Sequence, residues 1–308
     1  MERPELTRTY QNHTFDSTRW QTFLPRDNDI VISTSYKSGT TWMQNIVAQL
    51  VFLGQDEVPF AWEVSPWIDA RLGESVDEMM ADLERQTHRR FLKTHLALDG
   101  IPFFPQLKYI VVARDARDVF MSWWNHYSNY VDALYARMNG SPGRVGEPMP
   151  RCPENINEYW HTWITRGWFE WESEGYPHSG NLHHTQTWWN FRHLDNILFV
   201  HFNDLLADLA GEIRRVVAFL EIEVTAENVK KVAQAVSFAQ LKQQATADPE
   251  AATDTWKEGM ATFFHKGTNG RWRDVLSVAE VALYEETAVK LLTPDCKQWL
   301  EQGQAALI

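Results

Sequence analysis

An α/β fold, with a central, mainly parallel sheet flanked by helices, is predicted by three features of the sequence. Short apolar, β-branched runs recur at residues 29–34, 91–94, 108–113 and 196–202. Helical periodicity follows the first, third and fourth of them. The runs are continuous rather than alternating, as expected of strands covered on both faces.

The elements can be justified in order. Residues 1–28 are a polar and aromatic mixture with no clear period. Residues 29–34 (Asp-Ile-Val-Ile-Ser-Thr) form the first strand, Ser35 to Gly39 a tight polar loop, and a helix opens at Thr40 with Trp42, Met43, Ile46, Val47, Leu50 and Val51 on its apolar positions. Phe91 to Thr94 is a second strand, ended by His95 and a loop with Gly100 and Pro102. Lys108 to Ala113 is the strongest strand signal, followed by Arg114, Asp115 and a helix from Ala116. Residues 139–157, rich in Gly, Pro and Asn, read as a long loop, and residues 157–192 as a Trp-rich helical stretch. Residues 196–202 form the last strand, and an amphipathic run from Leu205 to Leu220 follows it.

There is no internal repeat, low-complexity tract or linker-like shift in composition. The expectation is therefore one domain over residues 1–308, with a loop and Trp-rich helical insertion at 131–192 capping a ligand pocket. The 15 tryptophans admit two readings, core packing between helices or an aromatic ligand wall, and composition does not separate them.

Composition excludes several classes. With 44% hydrophobic and 13% aromatic residues in 308, the chain can bury a large core, which argues against disorder. Two cysteines, Cys152 and Cys296, are too few for a disulfide scaffold or thiolate cluster. A net charge of −12 is the wrong sign for a general nucleic-acid binder. No window supplies the ~20 apolar residues of a membrane span, and the first residues lack a basic start and apolar core. A soluble, cytoplasmic protein is expected.

Four constellations carry chemistry. Thr34-Ser35-Tyr36-Lys37-Ser38-Gly39-Thr40-Thr41-Trp42 sets hydroxyls, a glycine and one lysine at a strand-to-helix turn, where a helix N-terminus and loop N–H groups can cradle phosphate. It is not the nucleotide-binding P-loop: with Gly39 as its second glycine, the first falls on Thr34 and the lysine on Thr40. Lys93-Thr94-His95 ends a strand, where ligands of open sheets collect. Arg114-Asp115-Ala116-Arg117-Asp118 with Ser122 follows another, and Arg114 suits bidentate phosphate recognition. Phe263-Phe264-His265-Lys266-Gly267-Thr268-Asn269-Gly270-Arg271-Trp272 is a late basic, glycine-bearing loop. Each alone admits an ordinary structural reading. Together, in an acidic chain, they imply a local pocket for one multiply charged anion.

In this order and with these residues, the four resemble the motifs of the sulfotransferases that use 3′-phosphoadenosine 5′-phosphosulfate (PAPS), from residue ~30 to ~275. The match is to the cytosolic, small-molecule (aryl or alcohol) branch, in its bacterial type. The resemblance implies a P-loop-like sulfotransferase fold and transfer of a sulfonyl group from PAPS to a hydroxyl of a small phenol or alcohol, releasing PAP, with no metal required. It implies that Lys37 contacts the bridging oxygen, that Ser38, Gly39, Thr40 and Thr41 bind the 5′-phosphate, and that Trp42 and Phe238 flank the adenine, with Ser237 beside them. Arg114 and Ser122 would bind the 3′-phosphate with His265, Lys266 and Gly267. His95 would be the general base, with Lys93 beside the transferring group and Ser122 contributing to catalysis. His126, Trp124 and Tyr127 are candidates for the acceptor pocket.

The sequence departs from the family pattern at Tyr36 (usually Pro), His265 (usually Arg) and Phe202 (usually Tyr). A short dimer motif is matched by Arg273, Ser277 and Val278, but its closing Glu falls on Ala282, which leaves a homodimer open. Two alternatives remain: a kinase or ATPase, and a non-catalytic nucleotide- or carbohydrate-binding protein on the same fold.

Overall fold

The computed structural model describes residues 3–304. Four strands, β1 (Ile30–Thr34), β2 (Phe91–Thr94), β3 (Lys108–Ala113) and β4 (Ile197–His201), form one parallel sheet in the order β2-β1-β3-β4. Ile30 pairs with Phe91 on one side and Lys108 on the other, and Tyr109 pairs with Ile197. All four predicted strands are present, each within one residue of its expected ends.

The helices run in chain order as α1 (Thr40–Val51), α2 (Ala61–Val64), α3 (Val76–Arg85), α4 (Ala116–Tyr127), α5 (Asp132–Asn139), α6 (Ile156–Thr165) and α7 (Asn181–Trp189), followed after β4 by α8 (Phe202–Ala207), α9 (Leu209–Leu220), α10 (Ala226–Ala235), α11 (Phe238–Ala245), α12 (Gly259–Phe263), α13 (Val278–Leu291) and α14 (Pro294–Gln302).

Alternate residues of the buried strands serve two separate cores. Ile30, Ile32, Ile110, Val112 and Val200 pack with Met43, Ile46 and Val47 of α1 and Ile213 and Val216 of α9. Val31, Leu92, Tyr109, Val111 and Phe199 pack with Trp160, Trp188 and Trp299 of α6, α7 and α14. This two-sided cover explains the continuous apolar runs. Truncating a central residue such as Ile110, fully buried, to alanine would cost about 2–5 kcal/mol.

Two helical expectations are corrected. The run 205–220 is two helices, because Asp208 breaks it and caps α9, its carboxylate accepting from Gly211 N at 2.8 Å. The stretch 157–192 is helical only in α6 and α7. Residues 166–180 between them are irregular, pinned by Gly175 N to Trp163 O at 2.7 Å and Tyr176 N to Arg166 O at 3.0 Å. Pro177 has no N–H to give, and Gly175 sits at φ +96°, so neither suits a helix interior.

The order of the strands sets the site. From β1 the chain moves outward to β2, then returns to β3 on the other side of β1 and continues outward to β4. The direction of progression reverses between β1 and β3, and open sheets bind ligands at the carboxyl ends beside such a switch. The segments leaving those two strands are 35–39 and 114–115.

Candidate active site

A cavity of roughly 350 Å³ opens at this edge of the sheet. Lys37, Lys93, Arg114, Arg137, Lys266 and Arg271 line it, and among the described residues no aspartate or glutamate does. In a chain of net charge −12 this segregation is a property of the cavity alone. Such a lining suits a polyanion, whose charge offsets the mutual repulsion of the cations.

The first loop builds one wall. Gly39, at φ +115°, is the N-cap of α1 and offers no side chain there, so the first N–H groups of that helix are left for a ligand. Thr40, Thr41 and Trp42 line the cavity beside it, and Thr40 Oγ1 is 2.6 Å from Thr34 Oγ1. Lys37 also adopts a left-handed backbone, φ +63°. Its ammonium lies 3.2 Å from His126 Nδ1 and 4.4 Å from the centre of the Phe263 ring. Burial, and then the neighbouring Arg114 and Lys93 cations, push Lys37 down to about 7.

Arg114 spans the switch point. Its guanidinium donates to Asn269 Oδ1 at 2.8 Å, Thr268 O at 3.0 Å and Lys37 O at 3.4 Å, and it lies over Phe202 at 4.2 Å. Phe202, where the family pattern carries Tyr, therefore serves as the apolar floor for that guanidinium. Burial lowers Arg114 to about 10, which leaves it a cation at neutral pH. The late loop closes over it: Asp118 accepts from Gly270 N at 2.7 Å. Gly267 is at φ +65°, and a Cβ there would come within 2.8 Å of the Phe238 ring, so this close approach admits only glycine.

His95 stands at the end of β2. Its Nδ1 is 2.9 Å from the carbonyl oxygen of Thr34, and a carbonyl only accepts, so Nδ1 carries the proton and Nε2 is left with a lone pair. The ring stacks on Tyr36 at 4.4 Å and 18° and meets the edge of Trp67 at 4.9 Å. Burial and then the Lys93 cation hold it well below the usual histidine range. Burial lowers Lys93 itself to about 8, opposed by Asp69.

Of the residues singled out in the sequence, Lys37, Gly39, Thr40, Thr41, Trp42, Lys93, His95, Arg114, Ser122, His126, Phe238, His265, Lys266 and Gly267 come together around this cavity. Four do not. Ser38 is buried, with its hydroxyl on Ser35 Oγ at 2.7 Å. Ser237 caps α11 by accepting from Gln240 N. Trp124 and Tyr127 turn away from the cavity: Trp124 packs beside Tyr159 of α6, and Tyr127 donates to Pro150 O at 2.6 Å. Helical geometry separates them, since Ser122 and His126 lie four residues apart on one face.

The acceptor side is also redistributed. Within 131–192 the cavity is lined by Leu134, Arg137 and Met138 of α5 and by His178. The Gly/Pro-rich loop contributes nothing to its lining, and neither do the tryptophans of α6 and α7, which are core. Trp67 and Trp256, which the sequence did not single out, line the cavity, with Tyr36, Tyr130 and Phe263. The tryptophans thus divide between the core and the cavity wall. Arg271 is a further cation on the cavity, its Nε without a protein partner; only its place in the late basic loop hinted at it.

Comparison with known proteins follows the same lines. Residues 27–293 match the family model of the sulfotransferase domain. A glycolipid sulfotransferase of Mycobacterium bovis is 32% identical, the match covering 96% of this chain and 94% of that one. Sulfotransferase 1A1 of Rattus norvegicus is 27% identical over 90% and 88%. In fold, the chain resembles mouse sulfotransferase SULT7A1 complexed with PAP (TM-score 0.71, 18% identity, 96% and 98% covered). It also resembles retinol dehydratase in complex with retinol and PAP (TM-score 0.64, 22% identity, 90% and 84% covered). Among the described residues no helix is long and apolar enough to cross a membrane, and no group of three or more His, Cys, Asp or Glu gathers to hold a metal. With its strand-end loops, cation-lined cavity and domain-length match, the chain belongs to the sulfotransferase family.

Proposed function

We propose that the protein transfers the sulfonyl group of PAPS to a hydroxyl of an acceptor with an apolar body. The observation that carries this reading is the meeting, in one cavity free of acidic lining, of a helix N-terminus, five cations from four separate segments (Lys37, Lys93, Arg114, Lys266 and Arg271) and a neutral imidazole with Nε2 available. The residues fit the donor: Gly39 and Gly267 leave room where a side chain would intrude, and the cations await countercharge.

When bound, PAPS supplies a sulfonyl group already activated on a phosphate. The chain's residues do the rest. Gly39, Thr40 and Thr41 would hold the 5′-phosphate at the positive end of the α1 dipole. Arg114, with Ser122, Lys266 and Arg271, would hold the 3′-phosphate, and Trp42 and Phe238 would supply aromatic surface to the base. His95 Nε2 takes the acceptor proton as the new O–S bond forms and the bond to the leaving phosphate breaks. Lys37 and Lys93 stabilise the charge spread over the transferring group and leaving oxygen, as cations do in phosphoryl transfer.

The acceptor faces Trp67, Leu72, Tyr130, Leu134, Met138 and Trp256, a mostly apolar wall. This favours a phenol, an alcohol or the hydroxyl of an amphiphile over a charged glycan; the glycolipid activity of the mycobacterial relative makes a glycolipid the second reading.

Thermal-shift titration with PAP, AMP, ADP and ATP with magnesium tests the donor. Saturation at ~100 times the dissociation constant should stabilise by ~2.7 kcal/mol. PAP should give the largest shift; a stronger response to magnesium-ATP would favour the kinase reading. Turnover of PAPS with phenols, alkanols and glycolipids then identifies the acceptor, and binding without turnover of any of them would favour a non-catalytic protein.

A further inference from the structure

Beside Tyr36 and His178, which also line the main cavity, lies a second, small void of about 10 Å³. Its walls are Tyr36, Val119, Trp123, Trp163, Gly175, His178, Ser179 and Asn181. Tyr36 Oη, Ser179 Oγ, Asn181 Oδ1 and both ring nitrogens of His178 are buried and have no partner among the described residues. His178, Ser179 and Asn181 are each more than nine-tenths buried. Leaving such groups unpaired costs roughly 1–3 kcal/mol apiece, so so many around one void call for a common partner.

We propose that this void holds one ordered water, and that the water makes Tyr36 a positioning residue for His95. The volume is that of one water, which needs roughly 10–15 Å³ by this measure and two to four polar partners. A single water, with two donor and two acceptor sites, serves four of these five atoms. Tyr36 and Ser179 donate to the water oxygen; the water donates to Asn181 Oδ1 and to the bare ring nitrogen of His178. Burial keeps His178 neutral, its proton affinity well below the ordinary range, so one bare nitrogen is present.

The site joins elements far apart in sequence. Asn181, at the start of α7, already donates from Nδ2 to Ser35 Oγ, and Ser35 Oγ is 2.7 Å from Ser38 Oγ. The water adds a second tie from the same residue to Tyr36 on the same loop. Tyr36 then presents its ring to His95 in the 4.4 Å stack, while His95 Nδ1 is held by Thr34. The imidazole that faces the acceptor is thus fixed in plane by Tyr36 and in rotation by Thr34. This rests on the reading of His95 as the base.

The test has two independent readouts. A crystal structure at a resolution that shows ordered water should contain one density peak within hydrogen-bond distance of Ser179, Asn181 and Tyr36. An empty void overturns the water site whatever His95 does. Kinetically, Tyr36→Phe keeps the ring and removes the hydroxyl. It should lower kcat several-fold with KM for PAPS unchanged. Ser179→Ala should do the same, and the double variant should be no worse than the poorer single one, because both act through one water. Full kcat in Tyr36→Phe, or additive losses, overturns the positioning role. Retained turnover in His95→Ala overturns the base assignment instead, and leaves the density result to be judged alone.

Discussion

The Lys37 ammonium and the His126 imidazole meet across the cavity, Nζ to Nδ1, at 3.2 Å. Burial and then the Lys37 cation hold His126 well below the usual histidine range, so it is neutral and accepts while Lys37 donates. The lysine that faces the donor's leaving oxygen in the proposed mechanism is therefore tethered, without ligand, to the aromatic pocket of Trp256, Phe263 and Tyr130 around His126.

That environment makes nucleotide binding pH-dependent. Lys37 sits at about 7 in the free protein, against ~10.5 for an exposed lysine. Between these values the folded state binds fewer protons than the unfolded one, so this group makes stability rise with pH from about 7 upward. A bound polyanion reverses the shift, draws a proton onto Lys37 and loses affinity as pH rises above about 7. Calorimetric affinities for PAP at about pH 6.5 and about pH 8.5 should differ on the order of tenfold in the wild type. The difference should largely vanish in Lys37→Met. An equal pH dependence in both proteins would place the titration elsewhere.

Arg114 holds three oxygens of the chain itself, on Asn269, Thr268 and Lys37, before any ligand arrives. A lysine cannot reproduce that fork. Arg114→Lys should weaken PAP roughly tenfold to a hundredfold, as expected for losing a charge-assisted pair of hydrogen bonds. AMP, which lacks the 3′-phosphate, should be almost unaffected. Equal losses for the two nucleotides would show that Arg114 shapes the loop rather than reading the 3′-phosphate.

His95→Ala should cut kcat by a factor on the order of 10²–10⁴, the usual contribution of a positioned general base. PAP affinity should stay within a few-fold, because His95 meets the first loop only at Thr34 and Tyr36 and makes no direct contact with Gly39, Thr40 or Thr41. Rapid-quench turnover beside a PAP titration separates the two. A parallel collapse of binding and turnover would mean that the ring supports the fold instead.

What could be read in the sequence was local. Strands and following loops are contiguous in the chain, so Lys37, Lys93, His95 and Arg114 could be placed at one sheet edge before any coordinates. Two kinds of residue escaped. Proximity in sequence groups Trp124 and Tyr127 with His126, whereas at ~3.6 residues per turn only the phase set by Ser122 faces the cavity. Trp67 and Trp256 reach the site from segments between regular elements, and nothing in their neighbours distinguishes them from the buried Trp160 or Trp188. The void beside Tyr36 was likewise invisible, since Ser179 and Asn181 approach it across more than 140 residues of chain.

The division between acceptor recognition and donor binding is tested on α5. Leu134 and Met138, one helical turn apart, face the cavity, while the loop that follows runs outside it. Leu134→Ala and Met138→Ala should each raise acceptor KM several-fold and leave PAP affinity unchanged. Both are almost fully buried, and truncation costs about 2–5 kcal/mol, so melting temperature must be followed with the kinetics. Val145, 43% exposed on the Gly/Pro-rich loop, provides the control: Val145→Ser should alter neither constant. If Val145→Ser shifted acceptor KM as strongly as the α5 variants, the loop and not the helix would be the element that meets the acceptor, by folding over the cavity during turnover.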